Sequence, residues 1–166
     1  MARIAKETGF QVVIFRLPLV YGPGVKANFK NLIKIVGSGL PLPFKGVNNR
    51  RSFLYLGNLV DAIITCIQHP KAAGEIFLVS DGQDVSTPDL IKMIACAMNK
   101  KVVLFFLQPG ILKGLCRIMG KAEELEKLIG SLLVDSSKIR NSLGWKPPFT
   151  LEEGIRETVK GLSIEK

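Results

Sequence analysis

Few residues in this sequence have types and spacing suited to covalent chemistry. The single histidine, His69, stands beside Pro70 at the expected end of a helix. Neither a His-based triad nor a multi-His metal set can be built from it, and a helix-terminal surface histidine is the reading it supports. Cys66, Cys96 and Cys116 lie far apart in apolar surroundings, without zinc-like pairing or the density of a disulfide framework, and are expected as buried reduced thiols. Tyr21 and Tyr55 are followed four residues on by Val25 and Leu59, which leaves no Tyr-x-x-x-Lys pair for proton transfer. Gly37-Ser38-Gly39 follows a helical pattern rather than a strand and lacks a third glycine, so it is not a dinucleotide fingerprint. What remains is binding chemistry. Arg50 and Arg51 head a β-like run, and a guanidinium can grip two phosphate oxygens at once. On the residues alone, a solvated arginine pair at a turn is the better reading.

The elements that would position such groups alternate between strand-like and helix-like segments, which argues for an α/β architecture without internal repeats. Arg3 to Thr8 reads as the tail of a helix ended by Gly9, and Gln11 to Phe15 as a strand buried on both faces. A loop punctuated by Pro18, Gly22, Pro23 and Gly24 follows. Phe29, Leu32, Ile33 and Val36 recur at helical spacing over Asn28 to Gly37. Leu42 to Phe44 and Ser52 to Leu56 are expected as short strands, and Asn58 as the cap of a helix running to His69. Glu75 to Val79 is a second buried strand. Ser86 or Thr87 caps a helix through Met98, Val102 to Phe106 is a strand, and Ile111 to Met119 and Lys121 to Leu128 are helical. Asp135 caps a short helix ending at Leu143-Gly144, and Thr150 to Glu153 forms a capping box that opens the last helix, to about Leu162.

Composition sets the frame. The chain has 166 residues, 47% hydrophobic and 22% charged, enough for one domain with a real core. Its uncharged apolar runs are too short to span a bilayer, and its first residues lack the apolar core of a signal peptide. The expectation is a cytoplasmic protein with no membrane partner. A net charge of +9 suits polyanions, but the cations fall in different elements with no nucleic-acid-binding signature, so no nucleic-acid partner is expected.

Four segments, in order, resemble the extended short-chain dehydrogenase/reductase family, and in particular its nucleotide-sugar epimerases and dehydratases of the UDP-glucose 4-epimerase kind. Val12-Val-Ile-Phe-Arg-Leu-Pro-Leu-Val-Tyr-Gly-Pro-Gly24 is similar to the family's late Rossmann strand and following loop. Arg50-Arg-Ser-Phe-Leu-Tyr-Leu-Gly-Asn-Leu-Val-Asp-Ala62 resembles its arginine-led strand running into a helix. Gly74-Glu-Ile-Phe-Leu-Val-Ser80 is like its last Rossmann strand. Asp135-Ser-Ser-Lys-Ile-Arg-Asn-Ser-Leu-Gly-Trp-Lys-Pro147 with Leu151-Glu-Glu-Gly-Ile155 matches its usual ending.

The fold so implied is α/β: the last strands of a Rossmann-type parallel sheet plus the smaller C-terminal substrate-binding domain, residues 1–166 forming the C-terminal portion of an epimerase or dehydratase. The resemblance places the start of the chain just downstream of the catalytic pair, so no catalytic residue and no metal ligand is expected in it. NAD is implied as cofactor, held mainly by an absent N-terminal half, with Pro18 near the nicotinamide. A nucleotide sugar, of UDP type, is the implied ligand. Arg51 falls where the family sets an arginine against the diphosphate, and Asn28 and Phe29 where it contacts the nucleotide. Pro43, Phe44 and Lys45 resemble the loop packed on the base. Leu19 stands where many epimerases place a substrate-binding asparagine, a departure that removes an amide donor. With the catalytic half present, the implied chemistry is transient oxidation of the sugar by NAD and return of hydride to the other face. A dehydratase or reductase fragment, or a non-catalytic binding module, would share these segments. Asp135, Leu143-Gly144-Trp145 and Thr150 to Gly154 read as structural. Association is expected through an open sheet edge, with a second copy or another chain.

Overall fold

The computed structural model describes residues 10–164 other than 109, 112, 113, 115, 116, 118, 119 and 121. The expected helix tail at Arg3 to Thr8, most of the expected helix at Ile111 to Met119, and Cys116 lie outside these residues. The described elements, in order, are strands β1 (Ile14–Arg16) and β2 (Leu19–Tyr21), helix α1 (Ala27–Gly37), β3 (Phe53–Tyr55), α2 (Leu56–Gln68), a 3-10 turn (Pro70–Ala72), β4 (Ile76–Leu78), α3 (Thr87–Ala97), α4 (Ala122–Ile129), α5 (Ser137–Leu143) and α6 (Leu151–Ile164).

Both strand pairings are parallel, as the alternation of strand and helix requires. Ile14, Phe15 and Arg16 lie opposite Ile76, Phe77 and Leu78, while Leu19, Val20 and Tyr21 lie opposite Phe53, Leu54 and Tyr55. The two strands that resemble late Rossmann strands are therefore direct neighbours. β3 is buried along its whole length and divides the core by its pleat. Phe53 and Tyr55 pack into one cluster with Phe29, Leu32, Ile91, Ile94, Leu151 and Ile155. Leu54, between them, packs into a second with Phe77, Val79, Ile139 and Trp145. Each large side chain so removed from water contributes about 1.5–3 kcal/mol before ordering costs.

Several boundaries differ from expectation, each for a local reason. The segment read as a loop contains β2, a three-residue strand hidden by the flanking Pro18 and Gly22. Val102 to Phe106 is not a strand: only Leu104 bridges, to Leu42, through Leu42 N–H to Val103 O at 2.9 Å and Phe105 N–H to Leu42 O at 3.0 Å. Pro41 and Pro43 flank Leu42 and lack the N–H donors a longer ladder needs. Leu42 to Phe44 is accordingly a bridge followed by a turn through Gly46. Helix α2 opens at Leu56, so Asn58 lies inside it rather than capping it. Cys96 is exposed, against expectation, whereas Cys66 is buried and its thiol pKa pushed up by that burial.

The termini of the later helices follow the sequence closely. Ser86 Oγ accepts from Asp89 N–H at 3.2 Å, and Asp135 Oδ1 accepts from Ser137 N–H at 2.8 Å. Gly144 adopts the left-handed conformation, φ 67°, that closes α5. The capping box is reciprocal: Thr150 N–H donates to Glu153 Oε2 at 2.8 Å and Glu153 N–H to Thr150 Oγ1 at 3.3 Å. Trp145 is buried and donates its indole N–H to Asp61 at 2.8 Å. A Cβ at Gly154 would stand 2.5 Å from the Tyr21 hydroxyl oxygen, so only glycine lets α6 sit against the tyrosines.

Candidate functional site

A cavity of about 360 Å³ opens between α1, β2, β3, α3 and α4. Leu19 from β2, Asn28 and Phe29 from α1, and Arg51 just before β3 all line it, so four residues singled out from three segments converge on one space. Leu32, Phe53, Val85, Leu90, Leu125 and Leu128 supply most of its wall, and Thr87 and Lys127 add polar groups. Apolar walls with a few convergent polar groups are the usual makeup of a small-molecule site.

Each polar member is placed by the backbone that carries it. Arg51 is half-buried while Arg50 is exposed, the opposite-facing alternation of extended chain. Arg51 N–H donates to Val85 O at 3.0 Å, which anchors the residue beside the cavity. Its Nη1 donates to the carbonyls of Lys127 and of Gly130, the latter at 3.1 Å. The guanidinium thereby caps the C-terminal end of α4, the negative end of that helix. Five N–H donors radiate from a guanidinium, so two bonds from Nη1 do not exhaust its capacity for an anion. Burial lowers the Arg51 pKa. Asn28 is exposed in the first turn of α1 and makes no capping bond, the position before the helix being Lys26. Phe29 is buried, with its ring stacked on Tyr21 at 5.3 Å between centroids.

Sequence reasoning missed two residues that shape this wall. Asn49 Nδ2 donates to the carbonyls of Leu128 and Gly130 at 3.2 and 3.1 Å, and Thr87 Oγ1 donates to Leu128 O at 2.6 Å. With Arg51 they hold the end of α4 at the cavity. No spacing in the sequence announced them, because the bonds join segments far apart in the chain.

The other expected site residues lie elsewhere. Pro18 is buried at the entry to β2 and does not line the cavity. Nor do Pro43, Phe44 and Lys45. Phe44 is buried in the main core, and Lys45 N–H donates to Phe105 O at 3.2 Å, so the turn spends its ring and one amide on packing.

Beneath the cavity floor is a buried polar knot. Asp81 accepts from Tyr21 Oη at 3.0 Å, from Tyr55 N–H at 2.9 Å and from Asn58 Nδ2 at 2.7 Å. Burial raises the Asp81 pKa, partly offset by the bonds from Asn58, Tyr55 and Tyr21. Burial and the neighbouring Asp81 raise that of Tyr21 far above the ordinary phenol range. A hydroxyl so committed is a structural group, not a proton donor to a ligand. Among the described residues no group of His, Cys, Asp or Glu is arranged to hold a metal ion.

Comparison with known proteins accords with this geometry. The family model for the NAD dependent epimerase/dehydratase family matches residues 1–80. A UDP-glucose 4-epimerase from Vibrio cholerae is 45% identical over 161 residues, covering 96% of this chain and 49% of the relative. Among solved structures, a UDP-glucose 4-epimerase from Thermotoga maritima, crystallised with UDP-glucose, superposes with a TM-score of 0.67 at 22% identity over 98% of this chain and 49% of that one. A UDP-glucuronic acid 4-epimerase from Bacillus cereus, in complex with UDP-glucuronic acid and NAD, gives 0.70 at 20% identity over 99% and 49%. The chain thus spans about half the length of the relatives it matches. The sequence likeness and the shared fold agree: residues 1–80 match the NAD dependent epimerase/dehydratase family, and the chain as a whole is similar to about half of a UDP-glucose 4-epimerase.

Proposed function

We propose that this chain is the nucleotide-sugar-binding portion of an NAD-dependent sugar epimerase of the UDP-glucose 4-epimerase kind, inactive by itself. The observation that carries the reading is the convergence of Leu19, Asn28, Phe29 and Arg51 on one cavity. Arg51, fixed by its backbone and by the end of α4, meets the diphosphate. Asn28, exposed at the rim, offers its amide to the nucleotide, and Phe29 contributes backbone while its ring stays in the core. Leu19 presents an apolar surface where an amide would otherwise stand, so the sugar is held by shape and by its diphosphate rather than by a donor from β2.

NAD fits this chain only at its margin. The described residues include no glycine-rich turn leading from a strand into a helix, and Pro18 is buried at the head of β2. The remaining dinucleotide contacts belong to a second half. What this half does is anchor: gripping the diphosphate away from the reacting carbon turns binding energy into orientation.

Calorimetric titration with UDP and UDP-glucose tests the reading. The 166-residue chain, alone or joined to an upstream half carrying the glycine-rich turn and Tyr-x-x-x-Lys pair, is expected to bind UDP. Only the joined form should convert UDP-glucose to UDP-galactose. Absence of UDP binding in both forms refutes the proposal.

A further inference from the structure

The cations that sequence order scatters are segregated once acidic residues are mapped alongside them. Residues 8–60 contain no Asp or Glu, and neither do residues 90–122. The structure sews these two acid-free stretches together. Leu42 bridges to Leu104, Lys45 N–H donates to Phe105 O at 3.2 Å, and Lys100 Nζ donates to the carbonyl of Gly37. Along this seam Val102, Leu104 and Leu107 pack against the core, whereas Val103, Phe105 and Phe106 are exposed.

The outward residues are large and apolar. Leu40 is 65% exposed, Val103 60%, Phe105 43% and Phe106 66%. Phe106 lies over Gly46, where a Cβ would meet its ring at 2.6 Å. Lys45, Lys100 and Lys101 are exposed beside them. Exposed aromatic and aliphatic side chains rimmed by lysines, within stretches of sequence free of Asp and Glu, match one chemistry well. Apolar groups enter the headgroup and acyl boundary of a bilayer while ammonium groups reach anionic phosphates. Nucleic acid would use the lysines but leave Leu40 and Val103 in water, and a protein partner would need acidic groups that nothing here specifies.

We propose that the strip of Leu40, Val103, Phe105 and Phe106, with Lys45, Lys100 and Lys101, docks this protein on an anionic lipid bilayer. The contact is peripheral. No described helix is long and apolar enough to cross a membrane, the ground on which sequence reading excluded a membrane partner. The proposal stands apart from what the cavity binds, since none of these strip residues lines it.

Flotation of the purified chain with vesicles of phosphatidylcholine, alone or mixed at roughly 70:30 with phosphatidylglycerol, tests it, because anionic lipid supplies the charge the lysines need. The bound fraction should be at least about fivefold higher on the anionic vesicles and should fall steeply by about 0.5 M salt. Lys100→Glu/Lys101→Glu and Phe105→Ser/Phe106→Ser should each lower binding about tenfold, as removal of charge or of inserted apolar area predicts. Ile63→Ser/Ile67→Ser, on the exposed face of α2, controls for indiscriminate apolar adsorption and should stay within about twofold of wild type. Circular dichroism establishes that each variant is folded. Equal binding to both vesicles, loss caused by the α2 variant instead, retention of a short DNA duplex without vesicle binding, or self-association abolished by Phe105→Ser/Phe106→Ser would each overturn the proposal.

Discussion

Tyr21 donates its hydroxyl to Asp81 Oδ2 at 3.0 Å from across the core, and the same carboxylate receives the Tyr55 amide and the Asn58 side chain. One buried acid thus ties β2, β3 and α2 together beneath the cavity. Asp81→Asn keeps an acceptor for Tyr55 and Asn58 and removes a desolvated charge, so it should cost about 1 kcal/mol. Asp81→Ala strands several buried donors and should cost about 2–4 kcal/mol. Urea denaturation of the three proteins measures the difference, and equal midpoints would deny the knot its role.

Arg51→Ala, in a version joined to an upstream half, should weaken UDP binding by about 2–5 kcal/mol, the cost of stranding one partner of a charge pair. Arg50→Ala should do far less, because Arg50 is exposed on the other side of the strand. Arg51→Lys should recover only part of the loss, since a point charge lacks the two-pronged geometry. Calorimetry gives the affinities, and thermal melts separate the lost cap of α4 from the lost ligand contact.

The isolated chain is expected to show no epimerase activity with NAD added, because its sequence offers neither a Tyr-x-x-x-Lys pair nor a glycine-rich turn. Turnover of UDP-glucose or UDP-galactose by the purified chain would contradict this.

Acid should loosen the helix starts. Asp135 is held below its ordinary value of 3.8 by bonds from Ser137, and Glu153 below 4.5 by bonds from Thr150. A depressed folded pKa gives stabilisation that is complete above the unfolded value and is lost as pH falls through the folded one. Asp81 carries the opposite sign: its raised pKa favours the protonated fold and partly offsets the loss. The melting temperature should therefore decline below about pH 5, and Asp135→Asn/Glu153→Gln should flatten that decline. Parallel pH profiles for the two proteins would rule the caps out as its source.

Self-association should rise with concentration. Among the described strands β1 pairs with β4 alone, and Val60, Ile63, Ile64 and Ile67 lie exposed on α2, Ile67 at 78%. Open strand edges and apolar helix faces recruit partners. Sedimentation velocity over a wide concentration range should show a shift that Ile63→Ser/Ile67→Ser reduces. A constant monomer would count against it.

Local chemistry made parts of this molecule legible. The Thr150–Glu153 box, the Gly144 stop and the apolar period of α1 are written within a few residues and were read with little error. Long-range bonds were not legible. Asn58 has a good capping side chain, and nothing beside it in sequence reveals that it joins Asp81 and Phe149 instead. Leu19, Asn28, Phe29 and Arg51, singled out through family likeness, line one cavity, whereas the bonds of Asn49 and Thr87 escaped because they hold a helix end from distant positions. Phe44, which the likeness set against the ligand, has its ring in the core and does not line the cavity.

The parallel pairings carry a kinetic consequence. Ile14 can meet Ile76 only after the chain between them has threaded through β2, α1, β3 and α2. Closing such contacts forfeits loop entropy before much surface is buried, so folding should be slow for the chain's size. During that interval the outward residues of α2 and of the Leu40–Phe106 strip are available to neighbouring molecules. Yield of native protein is then a race between closing the crossovers and meeting another chain, which dilution and low temperature during refolding should tilt toward the folded form.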